Sequence, residues 1–177
     1  MESLPARPAA ECRQGMDRCK GSGVVVVERE SATIWADQAE SVCETAYISL
    51  PSLPANVGEL RRRVMTFLSS SPLSLEEAAD LELAVGEACA NALRHGSPRG
   101  ELDEIRVRCM RSGRALIVEV SDNGCGFDPE LVPVPALGDF GESGMGIFLM
   151  RTLVDSVEFK FGAGTTVRLV RRCCQEG

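Results

Sequence analysis

The sequence predicts an α+β fold: a two-layer α/β sandwich with a mostly antiparallel sheet. Three observations carry this. Helical and strand patterns mix along the chain and do not alternate as βαβ units. Residues 74–96 hold a full set of helix signals. The strand candidates in the second half come as hairpin pairs around short turns, so their partners run antiparallel. The chain has 177 residues, of which 44% are hydrophobic, enough for the core of one domain. Aromatic residues make up only 5%, so Val, Leu, Ile, Ala and Met must fill that core.

Residues 1–22 are rich in Ala, Arg, Pro and Gly without a clear period, and read as a flexible tail. Residues 24–27 form a short β-branched run, a candidate added strand. Residues 45–50 are a stronger strand candidate, ended by Pro51 and Pro54. Asn56 is expected to cap a helix whose apolar positions Val57, Leu60, Val64 and Phe67 keep the helical period. Arg61, Arg62 and Arg63 sit between them. In the next helix Ser74 and Glu77 have capping-box spacing. Leu81, Val85, Ala88 and Ala92 form its apolar stripe, and Gly96 is the stop signal, with Pro98 beyond. Ile105, Val107 and Cys109 alternate with charged residues as a half-buried strand does. A turn at residues 111–114 leads to a strand over 115–121. A glycine-rich loop, a stretch with Pro129, Pro133 and Pro135, and a second glycine cluster precede a helix through Val154. A hairpin over 157–161 and 165–170 ends the fold. The organisation expected is an N-terminal extension over 1–43, a domain over 44–172 and a tail over 173–177.

Charge and cysteine usage narrow the class. Nineteen Lys and Arg face 26 Asp and Glu, for a formal charge of -7. That balance argues against direct binding to nucleic acid or to a membrane surface, but not against a nucleotide held by backbone amides and one metal ion. No apolar run approaches the ~20 residues of a membrane helix. Cys12, Cys19, Cys43, Cys89, Cys109, Cys125, Cys173 and Cys174 form no CxxC pair, and the lone His95 is near no cysteine pair in sequence. Neither zinc nor a disulfide framework is expected. Residues 1–20 lack a signal-peptide core, so the reading is free thiols in a reducing cytoplasm.

Four clusters carry candidate chemistry. Glu87 and Asn91 lie at i and i+4, hence on one helical face. A carboxylate can take a proton there while an amide oxygen holds Mg²⁺; the plainer alternative is a solvated face. Asp122, Asn123, Gly124, Cys125, Gly126 and Phe127 follow a strand. Glycines allow close backbone approach, and an Asp can accept from an exocyclic amine such as that of adenine; the alternative is an ordinary Asn-Gly turn. Gly144, Met145 and Gly146 open a helix whose first amides can cradle phosphate; the alternative is a simple helix cap. Gly162, Gly164, Thr165 and Thr166 are a polar cluster that reads equally as a hairpin turn. No GxxxxGK[ST] is present, and no GxGxxG opens a βαβ unit.

In this order the four clusters resemble the boxes of the GHKL, or Bergerat-fold, ATPases. The segment from Glu87 to Gly96 is similar to the N box, and the Asp122 and Gly144 clusters to the two glycine boxes. The similarity runs from about Thr45 to Arg172. Within that superfamily, E-x-x-x-N-A-x-x-H-G at Glu87 to Gly96 and S-G-M-G at Ser143 to Gly146 resemble the bacterial anti-sigma-factor serine/threonine kinases. The resemblance implies ATP and Mg²⁺ as cofactors. It implies Glu87 as the general base, Asn91 as the Mg²⁺ ligand and Asp122 as the reader of adenine, helped by Thr165. Gly124 and Gly126 would shape the base pocket, and Gly144, Met145 and Gly146 the phosphate site. His95, inside the N box, would cap its helix. The partners implied are an anti-sigma-factor antagonist and a sigma factor, with a homodimer as an option and Arg61 as a candidate contact. The segment from Asp128 to Met145, where the ATP lid would lie, has no Lys or Arg, so Arg94, Arg99 or Arg151 would have to meet the γ-phosphate. A nucleotide-gated binding switch and a detached histidine-kinase catalytic domain are the alternatives.

Overall fold

The computed structural model describes residues 26–28, 42–113, 115–128 and 144–173. In chain order, β1 (Val26–Glu28) and β2 (Val42–Pro51) lead to α1 (Pro54–Leu68) and α2 (Leu75–His95). Then come β3 (Glu104–Ser112), β4 (Ala115–Ser121), α3 (Met145–Leu153), β5 (Ser156–Phe161) and β6 (Thr165–Arg172). The strands form one sheet in the order β1-β2-β3-β4-β6-β5, with every pairing antiparallel. The helices cover one face, which gives the expected two-layer α+β sandwich.

Strand alternation decides which face is covered. Ile105, Val107 and Cys109 of β3, with Leu116, Val118 and Val120 of β4, are buried beneath the helices. Arg106, Arg108 and Glu119 fall between them, on the open face. Leu60 and Val64 of α1, Leu81, Val85, Ala88 and Ala92 of α2, and Met150 of α3 fill the layer between. Each large aliphatic side chain so buried stabilises the fold by roughly 1.5–3 kcal/mol relative to exposure.

α2 starts as its sequence dictates. Glu77 N donates to Ser74 Oγ at 3.2 Å, and Ser74 N donates to Glu77 Oε2 at 2.9 Å. It ends at Gly96, but not through a left-handed turn, because φ there is -97°. A Cβ at Gly96 would strike the carboxylate of Asp122, so the glycine serves close packing.

Other expectations need correction. Asn56 does not cap α1. Leu53 is the N-cap, and Pro54 takes the first turn, where its fixed φ fits and its missing N–H costs nothing. Asn56 donates its amide to Pro51 O at 2.9 Å instead. β2 begins at Val42, before the expected start, and β6 runs to Arg172 because it pairs with β4 along its whole length. Cys173, assigned to the tail, is buried in the core. Residues 26–28 pair with residues 45–47 of β2, so part of the extension joins the sheet. Residues 1–25 and 29–41, the lid stretch over 129–143 and the end of the tail lie outside the described residues.

Candidate functional site

A cavity of about 1100 Å³ opens between the C-terminal half of α2, the loop after β4 and the start of α3. Glu87 and Asn91 line it from successive turns of α2. They face α3 across a narrow gap. A Cβ at Gly146 would lie 2.9 Å from Glu87 Oε2, 3.4 Å from Asn91 Nδ2 and 3.6 Å from Asn91 Oδ1. Only a glycine lets the helix start come this close to both polar groups.

α3 opens from Gly144, whose φ of 89° is left-handed and suits a residue without Cβ. Phe148 N donates to Gly144 O at 3.0 Å, closing the first turn. The amides of Met145, Gly146 and Ile147 precede that bond, at the positive end of the helix dipole. All three residues line the cavity.

Asp122 closes the opposite end. It is buried, and its Oδ1 accepts from Gly124 N at 2.8 Å and from Thr165 N at 3.3 Å. Burial pushes its carboxyl above the usual range, against the opposing pull of the Gly124 and Thr165 amides and of the Arg106 charge. Glycines make room around it. A Cβ at Gly124 would meet Gly96 Cα at 2.8 Å and His95 O at 2.9 Å, and one at Gly164 would strike the Asp122 carbonyl. Gly126, at φ 79°, packs under Phe161. The cavity thus has a carboxylate at one end and helix amides at the other, with a carboxylate–amide pair on its wall. Its volume and oxygen donors suit a nucleotide with a hard divalent cation.

The fold brings Glu87, Asn91, Asp122, Gly126, Gly144, Met145, Gly146 and Thr165 to this one cavity, with Gly124 behind Asp122. The three candidate cations separate. Arg94 lines the cavity, as does His95 beside it in the last turn of α2. Arg99 is committed to Asp103, with Arg99 Nη2 2.5 Å from Asp103 Oδ1. Arg151 lies exposed in the last turn of α3, outside the cavity lining. Arg61 pairs with Glu82 at 2.9 Å, away from the cavity. Arg62 and Arg63 both hold Glu59, whose carboxyl their hydrogen bonds lower to about 2. Sequence reading missed Phe159, which reaches the cavity from β5 and meets Phe127 edge-on at 5.3 Å; no local pattern marks it. Cys125 lines the cavity, whereas burial pushes the thiols of Cys89 and Cys109 up to about 12. A second concavity of about 570 Å³ on the open sheet face is lined by Arg106, Arg108 and Lys160 among others, and no helix start is among the described residues that line it.

Fold and site together define a histidine-kinase-like ATP-binding domain. Residues 50–171 match the family described as "Histidine kinase-like ATPase domain", and the chain belongs to that family. It is similar to "Serine-protein kinase RsbW" of Bacillus pumilus (strain SAFR-032), with 33% identity over 134 residues, 70% of this chain and 83% of that protein. The protein of the same name from Bacillus subtilis (strain 168) is 30% identical over 132 residues, 70% of this chain and 82% of that protein. The one from Listeria monocytogenes serovar 1/2a (strain ATCC BAA-679 / EGD-e) is 33% identical over 133 residues, 70% and 84% of the two chains. The crystal structure of the RsbU and RsbW domains of Rv1364c from Mycobacterium tuberculosis superposes with a TM-score of 0.55 at 21% identity. That match covers 72% of this chain and 32% of the larger one, and shows the shared fold. Among the described residues no helix is long and apolar enough to cross a membrane.

Proposed function

We propose that this chain is a Mg-ATP-dependent serine/threonine kinase of the anti-sigma-factor type, which phosphorylates an antagonist protein and sequesters a sigma factor in the cytoplasm. The observation that carries the reading is the packing of Gly146 against Glu87 and Asn91. It brings a carboxylate, a side-chain amide and the first turn of a helix close together. Phosphoryl transfer needs alignment and charge neutralisation more than covalent chemistry. Asp122 accepts from the adenine amino group with Thr165 beside it, and the α3 amides face the phosphates. Asn91 would hold Mg²⁺, which when bound neutralises charge on the phosphate oxygens. Glu87 takes the proton of the substrate hydroxyl as that oxygen bonds to the γ-phosphorus and the bond to ADP breaks. Among the described residues, Arg94 lines the cavity and would meet phosphate charge.

A second reading, a nucleotide-gated sequestering protein without transfer, has two observations in its favour. The stretch from Asp128 to Met145 carries no Lys or Arg, and only one of the three candidate arginines lines the cavity. Glu87→Gln separates the two. The substitution should leave Mg-ATP bound and slow transfer to an antagonist by about 10²–10⁴, the usual worth of a general base. A wild-type rate in Glu87→Gln would remove Glu87 from that role. A wild-type chain that binds Mg-ATP and its partner but transfers no phosphate would establish the second reading.

A further inference from the structure

Asp103 lies between α2 and β3, outside the cavity, yet its side chain is 0% exposed. A carboxylate removed from water is costly unless hydrogen bonds replace the water. Here Arg99 N donates to Oδ2 at 2.7 Å, while Arg99 Nε and Nη2 donate to Oδ1 at 2.8 and 2.5 Å. Burial pushes the Asp103 carboxyl up, but the donors from Arg99 and Asn123 outweigh it and hold it below its ordinary value.

The fourth donor is the informative one. Asn123 Nδ2 reaches Asp103 Oδ1 at 2.8 Å, and Asn123 directly follows the buried Asp122. Asn123 has two further ties. Its Oδ1 accepts from Arg106 Nη2 at 3.1 Å, and its N donates to Gly96 O at 2.9 Å. The residue is thus held from three elements: the α2–β3 connection, β3, and the end of α2. On the other side, Asp122 N donates to Thr165 O at 2.9 Å. The peptide groups on both sides of Asp122 are thus hydrogen-bonded, which holds its backbone in place while Gly124 N and Thr165 N orient its carboxylate. Its Oδ1 is taken by Gly124 and Thr165, and its Oδ2 lies toward Gly96 at the cavity edge.

We infer that Asp103 is a positioning residue for base selection: Arg99 fixes Asp103, Asp103 fixes Asn123, and Asn123 sets the orientation in which Asp122 meets the base. This rests on the assignment of adenine to Asp122 made above. Nothing in the network touches the phosphate end of the cavity, so its loss acts on the base and spares the polyphosphate.

The test titrates the full chain calorimetrically with Mg-ATP, Mg-GTP and Mg-tripolyphosphate. Asn123→Ala cuts the link while leaving the Arg99–Asp103 pair in place. Asp103→Ala cuts it from the other side, and Asp103→Asn keeps an acceptor for Asn123 without the charge. Expected are a fall in the ATP-over-GTP preference on the order of tenfold in Asn123→Ala, the scale of one net hydrogen bond, and unchanged tripolyphosphate binding. Asp103→Asn should retain the preference better than Asp103→Ala. If Asp103→Ala does not fold, Asn123→Ala decides. An unchanged preference in Asn123→Ala overturns the proposal. So does an equal loss for ATP and tripolyphosphate, which marks the network as a general fastening of the fold. Asp122→Asn in parallel separates the two levels: if it leaves ATP affinity unaltered, the adenine assignment itself is wrong.

Discussion

Replacing Gly146 with Ala tests the cavity at its narrowest point. The added methyl would lie 2.9 Å from Glu87 Oε2, inside the normal carbon–oxygen contact distance, and 3.4 Å from Asn91 Nδ2. The clashing atom is the tip of a flexible side chain, so Glu87 swings aside by a few tenths of an ångström at little cost. Residue 146 is the second residue of α3, where Ala is favoured over Gly by less than the ~1 kcal/mol of a helix interior. These effects oppose one another, and the melting temperature should move by no more than about 2–4 °C for a domain of this size. Catalysis has no such compensation. A base must stay within hydrogen-bond reach of the proton it takes, and a misplacement near 1 Å can cost about 10² in rate. A shift of a few tenths of an ångström costs part of that. With phosphate between α2 and α3, as proposed, the methyl would also narrow the space open to it. Gly146→Ala is therefore expected to lose phosphotransfer and ATP affinity by roughly tenfold each, with the fold intact. Radiolabel transfer to an antagonist, calorimetry with Mg-ATP and a thermal scan read the three quantities. Gly162→Ala is the control, because nothing lies within 4 Å of its Cβ position. Wild-type transfer and affinity in Gly146→Ala would show that phosphate does not lie between α2 and α3.

Three further outcomes are expected. Asn91→Ala should reduce the Mg²⁺ dependence of ATP binding, seen as convergence of the affinities measured with Mg²⁺ and with chelator; persistence of the full difference would exclude Asn91 as a ligand of the ion. Asp122→Asn should weaken ATP by about 1–3 kcal/mol, the scale of a charge-assisted hydrogen bond. Because burial raises the Asp122 carboxyl, its protonated form favours the folded state, with that stability present at low pH and lost as pH rises through the raised value. Asp122→Asn should therefore leave neutral-pH stability equal or higher, and should abolish the part of the acid-side loss of ADP affinity that comes from Asp122 protonation; a pH series in which both proteins lose affinity alike would contradict this. Gly58→Ala in α1, exposed and with open space at its Cβ, should raise the melting temperature by about 2–4 °C and leave ATP binding unchanged. A fall in melting temperature would contradict the helix-propensity argument.

Elements governed by local spacing were legible in the sequence. The capping box of Ser74 and Glu77, the stripe of Leu81, Val85, Ala88 and Ala92, and the alternation of β3 rest on interactions within a few residues. Local patterns carry those signals because helix and strand periods are local properties. The candidate site was legible as four glycine-flanked polar clusters, since close approach of backbone to ligand demands Gly wherever it happens. Their common use was a matter of resemblance until β6 paired with β4, which sets Thr165, 43 residues away in sequence, against Asp122.

Partner choice among charged side chains was not legible. Arg94, Arg99 and Arg151 look equivalent as letters, yet Arg94 lines the cavity, Arg99 is bound to a buried Asp103, and Arg151 points to solvent. Pairing depends on distances between elements remote in sequence, and sheet order sets those distances. The same holds for Phe159, which β5 carries to the cavity wall, for Cys173, which β6 carries into the core, and for Gly96. Helix signals legible in the residues alone mark Gly96 as the end of α2. Why it must be Gly follows from packing between remote elements: the Asp122 carboxylate, delivered by β4, occupies the space a Cβ would need.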